Sequence, residues 1–116
     1  MLTQRGYPQS PVYAMMKDMS QSNSNPKEEL YAVVVGQVQG VGFRYFVVQK
    51  AHPLGIHGFV RNDQNGDVEV VAQGPRAALE QFLVLLRQGP SAAQVQDVHT
   101  TWREITEHVS GFHIRW

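Results

Sequence analysis

The stretch "VVVGQVQGVGFRYF", Val33 to Phe46, decides how this chain folds. Three valines run into a loop carrying Gly36, Gly40 and Gly42, and an apolar helical pattern starts at Phe43. Upstream, "LYAVVVGQ" from Leu30 is β-branched and nearly continuous, which suits a strand buried on both faces or nearly so. Downstream, Phe43, Phe46, Val47, Ala51 and Leu54 recur at spacings of three and four, one apolar face of a helix. Pro53 ends or distorts that helix, because it lacks a backbone donor and disfavours helical geometry at His52. Gly55 then allows the exit. Arg44 falls in the first helical turn, where the partial positive charge of a helix N-terminus disfavours a cation. Its position asks for a negative counterpart.

Further along, "IHGFVRND" reads as a second strand and "DVEVVAQ" as a third with clear alternation. Asn65-Gly66 between them is a strong hairpin signal. Pro75 suits a helix start. Leu79, Phe82, Leu83 and Leu86 form a second apolar helix face, and Gly89 is placed to cap it. "AAQVQDVHTTWRE" reads as a fourth strand and "FHIRW" as a short terminal one. The order β-α-β-β-α-β plus a short C-terminal strand is the split βαβ, or ferredoxin-like, plan. It predicts an α+β domain over residues 30–116, an antiparallel-rich sheet with two helices on one face. Residues 1–29 read as a flexible extension, since the segment to Lys27 is rich in Gln, Ser and Asn, holds three of the six prolines and shows no sustained period.

Composition narrows the function. At 116 residues the chain holds one domain, and 42% apolar residues suffice for one core. Ten basic residues balance ten acidic ones, which argues against a broad basic nucleic-acid face and against a membrane-surface binder. The absence of cysteine excludes disulfides, thiol catalysis and cysteine zinc sites. No apolar run approaches transmembrane length, and the N-terminus lacks the hydrophobic core of a secretory signal, so a cytoplasmic protein is expected. The histidines at 52, 57, 99, 108 and 113 show no metal-ligand spacing, and neither a metal nor a cofactor is expected.

In the ferredoxin-like plan the crossover makes strands one and two parallel, with strand three between them. Their C-terminal ends share one sheet edge, roughly 10 Å apart. One end carries the glycine loop and Arg44, the other Asn62. Glycines let successive amides point inward as an anion nest, which the helix N-terminus reinforces. Arg44 adds a planar fork matched to phosphate oxygens. Plainer readings stand beside this one. A glycine loop is also a tight connection, a lone arginine is commonly a solvated surface residue, and an asparagine before a hairpin commonly serves the turn. Neither established nucleotide-binding pattern fits, because the loop lacks the P-loop lysine and Tyr45 occupies the last glycine position of G-x-G-x-x-G. Pattern alone reaches a candidate small-anion site.

"GQVQGVGFR" resembles the acylphosphatase signature G-x-V-Q-G-V-x-F-R, "GFVRNDQNGDVEVVAQG" resembles that family's second motif, and "FHIRW" its aromatic-ending C-terminus. The likeness covers Leu30 to Trp116. It implies metal-independent hydrolysis of a small-molecule acyl phosphate to a carboxylate and inorganic phosphate. Arg44 would bind the phosphate alongside backbone amides of Gln39, Gly40, Val41, Gly42 and Phe43, and Asn62 would orient the attacking water. Positioning and charge stabilisation are what phosphoryl transfer to water most needs. A monomer without nucleic-acid or membrane partners is expected. Three departures stand out: the long extension, Pro53 within the first helix, and Trp116 where tyrosine is common, a change expected to affect packing only.

Other functions share this plan. The same plan serves RNA-binding domains that stack bases on sheet aromatics, but strand three has none. A non-catalytic phosphate-binding module would use the same nest. The related domain of a carbamoyl-phosphate-handling maturation protein belongs to a much longer chain, which makes it the weaker match.

Overall fold

A computed structural model describes residues 26–116 of the chain. Most of the expected extension, with its "VYAMMKDM" segment, lies outside the described residues. Strand β1 spans Lys27–Gln37, starting three residues before Leu30, and its first three residues pair with Pro75, Gly74 and Gln73. After β1 come helix α1 (Phe43–Ala51), a 3-10 turn (His52–Leu54), strands β2 (His57–Asn62) and β3 (Val68–Pro75), helix α2 (Arg76–Gln88), and strands β4 (Gln94–Arg103) and β5 (Phe112–Ile114). Proline does what its chemistry requires: the α-helix stops before Pro53, the chain tightens through it, and Gly55 turns away at φ 67°.

The sheet order is β4-β1-β3-β2-β5, with β5 parallel to β2 and the β1–β3, β1–β4 and β2–β3 pairs antiparallel. This is the ferredoxin-like plan, with β3 between two parallel strands. Leu30, Ala32 and Val34 of β1 meet Ala72, Val70 and Val68 of β3, and all six are fully buried. Phe43, Val47 and Ala51 of α1 and Leu79, Phe82, Leu83 and Leu86 of α2 cover that face. Each of the valine, leucine and phenylalanine side chains among them contributes about 1.5–3 kcal/mol on leaving water.

Burial of β1 on both faces is not observed, because the helices cover one side only. Leu30, Ala32 and Val34 are buried while Tyr31, Val33 and Val35 are half-buried. The open face is covered by its own long side chains instead. Arg103 lies over Tyr31 at 4.9 Å and Arg115 over Phe59 at 3.7 Å, so both aromatics of this face are already capped by guanidinium groups. Tyr31 donates to Glu69 Oε2 at 2.6 Å and Arg61 Nε to Glu69 Oε1 at 2.6 Å. The tyrosine hydroxyl, and then the arginine, hold the Glu69 carboxyl below its ordinary pKa, and Glu69 in turn raises that of Tyr31.

Candidate functional site

The site stands at the end of the sheet where β1 and β2 finish. Leaving β1, the chain must reverse onto the helical layer within Val38–Gly42. Gly40 and Gly42 do this at φ 74° and 79°, a left-handed conformation that side chains disfavour. A Cβ on either glycine would meet no protein atom within 4 Å, so the backbone angle, not crowding, requires glycine there. No backbone carbonyl among the described residues accepts a hydrogen bond from the amides of Gln39 to Gly42.

Helix α1 starts without help. Gly42 is its N-cap, no side chain caps it, and its first turn contains no acidic residue. The first helical bond runs from Phe46 N–H to Gly42 O at 3.1 Å, leaving the amides before it without helical acceptors. Phe43 is 1% exposed and anchors the turn in the core. Arg44, half-buried, makes no ion pair among the described residues and lies over the Trp116 ring at 4.4 Å. Loop amides, helix N-terminus and an unopposed guanidinium therefore gather in one place.

Asn62 closes β2 opposite Val68. The turn chemistry that would explain an asparagine here belongs to its neighbour: Asp63 Oδ1 accepts from the amides of Asn65 at 2.8 Å and Asp67 at 3.1 Å. Asn62 Oδ1 is buried with no hydrogen-bond partner among the described residues. A buried carbonyl oxygen without a donor costs about 1–3 kcal/mol. Such an oxygen is suited to receive a hydrogen bond from water or ligand.

The hairpin and the glycine loop are joined. Gln39 Nε2 donates to Asp63 O at 2.9 Å and Asp67 O at 2.8 Å. An open cleft of about 580 Å³ lies beside them, lined by Arg61, Asn62, the turn residues Asp63 to Asn65, Glu69 and Trp116. Trp116 thus touches both halves of the site. It is 86% exposed, so the departure from tyrosine falls at a solvent-facing position. A separate hollow, lined by Lys27, His57 and Ser110 among others, is at the opposite end of β2 and shares no residue with the site. Among the described residues no three His, Asp or Glu side chains gather as a metal would need.

Two features escaped sequence reasoning. The reach of Gln39 links positions 24 and 28 residues apart, and only a fold could reveal it. Trp116 carried a signal, an aromatic just beyond a short final strand, but its contact with Arg44 joins residues far apart in the chain.

The chain matches the acylphosphatase family over residues 30–114. It is 49% identical over 85 residues to an acylphosphatase of Thermus thermophilus, 73% of this chain and 96% of that one. Identity to an acylphosphatase of Dehalococcoides mccartyi is also 49%, over 87 residues, 74% of this chain and 96% of the relative. Among solved structures, an acylphosphatase from Bacillus subtilis superposes with a TM-score of 0.75 at 36% identity, covering 77% of this chain and 99% of that one. Full-length HypF in a phosphate- and nucleotide-bound form gives 0.72 at 26% identity, but the match covers only 12% of that protein. Both the fold and these relatives place the chain in the acylphosphatase family of enzymes.

Proposed function

We propose that the enzyme hydrolyses small-molecule acyl phosphates without a metal, gripping the phosphoryl group and leaving the acyl group largely free. The observation that carries this reading is Arg44, without an ion pair among the described residues, at an uncapped helix start beside loop amides that have no backbone acceptor among those residues. Amides of Gln39 to Phe43 cradle the phosphoryl oxygens, and the Arg44 fork neutralises the charge that builds on them. Asn62 Oδ1 accepts one hydrogen of a water molecule and turns a lone pair of its oxygen toward phosphorus. An amide is no base at neutral pH, so its part is orientation.

In the reaction the water oxygen bonds to phosphorus as the phosphorus–oxygen bond to the acyl group breaks. That bonding pair leaves on the carboxylate, a good leaving group that needs no general acid. The water's proton passes to an oxygen of the phosphoryl group. We also read the enzyme as a cytoplasmic monomer.

Hydrolysis in ¹⁸O-labelled water tests this directly. Attack on phosphorus puts the label in inorganic phosphate. Label in the carboxylate would mean attack on the carbonyl, and the assigned roles would fail.

A further inference from the structure

The backbone ladder that joins β1 to β3 stops at Val34 with Val68, and the ladder from β2 to β3 stops at Asn62, also with Val68. Past that level no strand pairing holds the glycine loop against the hairpin. The Gln39 amide spans the gap, giving both of its hydrogens to the carbonyls of Asp63 and Asp67. Those two residues close the turn: Asp63 N–H donates to Asp67 O at 3.0 Å, and Asp63 Oδ1 holds the amides of Asn65 and Asp67. The turn is thus held from within, and Gln39 fastens it to the loop as a unit. Asn62 immediately precedes it, with its buried Oδ1 unpartnered among the described residues.

Granted the hydrolytic roles proposed above for Arg44 and Asn62, we infer that the Gln39 side chain is a positioning residue for Asn62. It sets the distance between the phosphoryl cradle and the amide that orients water. Its backbone belongs to the cradle, but its side chain acts on the other half of the site. Displacing a reacting group by about 1 Å costs on the order of 100-fold in rate.

The test uses the full chain, benzoyl phosphate as substrate and inorganic phosphate as competing ligand. Gln39→Met keeps side-chain length and removes the donors. It is expected to lower kcat about 10- to 100-fold, while the inhibition constant for phosphate holds. Introduced into Asn62→Ala, the same change is expected to leave kcat where Asn62→Ala alone puts it, since groups acting as one unit are not additive. Losses that multiply in the double variant, or phosphate affinity falling in step with kcat, would overturn the inference. Should Gln39→Met fail to fold, Gln39→Glu carries the test. Its carboxylate faces two carbonyl oxygens, and only its protonated form can donate to one of them. Activity relative to wild type is then expected to rise as pH falls from about 7 to about 5, and a flat ratio would overturn it. A wild type without turnover removes the hydrolytic role, and that of Gln39 with it.

Discussion

The guanidinium carbon of Arg44 stands 4.4 Å above the centre of the Trp116 ring, so the last residue of the chain rests on the first turn of α1. Stacking of this kind contributes about 0.5–1 kcal/mol at an exposed position and fixes the plane of the fork. Trp116→Ala is therefore expected to raise KM a few-fold, with a loss in kcat/KM of about tenfold or less. Thermal stability should hardly change, because the indole is largely exposed. Steady-state kinetics beside a thermal melt check both halves.

Arg44→Ala removes the guanidinium proposed to grip the phosphoryl group. The expected loss is about 100- to 1000-fold in kcat/KM, with the fold intact, since Arg44 has no ion pair to break among the described residues. Arg44→Lys keeps the charge but not the fork, and should recover only part of the activity.

In its proposed role the Asn62 amide acts on water and not on the phosphoryl group, so Asn62→Ala should lower kcat about 100-fold and leave inhibition by inorganic phosphate unchanged. Asn62→Asp would set a carboxylate near an anionic substrate and should be no better. An Asn62→Asp enzyme with full activity would contradict the positioning role.

Much of this was legible in the sequence. The strand, glycine loop and helix of Val33–Phe46 declared themselves by period, and the second apolar helix face matched its buried residues one for one. The start of β1 was not legible, because "KEE" is charged and reads as tail. Glu29 is nevertheless buried, bonded to Gln73 and Arg103, 44 and 74 residues away. Within the site, the residue types of Arg44 and Asn62 could be named. That Asp63 serves the turn, while Asn62 Oδ1 has no partner among the described residues, required the fold. Long-range pairs of this kind carry no local period.

Glu69 predicts an acid-side signature. Tyr31 and Arg61 lower its pKa in the folded state below the ordinary 4.5. A depressed carboxyl stabilises the fold above its unfolded pKa and loses that contribution as pH falls through the folded value. Glu69→Gln is thus expected to be less stable by about 1 kcal/mol near neutrality. The gap to wild type should close below pH 4.5, as denaturant midpoints across pH would show. A gap that stays constant into acid would contradict the carboxylate's part.

Gly42→Ala isolates the cradle. The space in front of Gly42 is open, so the cost is that of a φ of 79° for a side-chain residue, about 1–2 kcal/mol. Relaxing that angle turns the loop amides away, and phosphate should inhibit more weakly in proportion.

The most direct measurement is the turnover of benzoyl phosphate, with a chelator present, by wild type and by Arg44→Ala. Release of benzoate and phosphate by wild type, and collapse of that activity in a folded Arg44→Ala, is the predicted result. A wild type that binds phosphate at the loop yet releases no benzoate would contradict it, and would leave the cradle as a binding site alone.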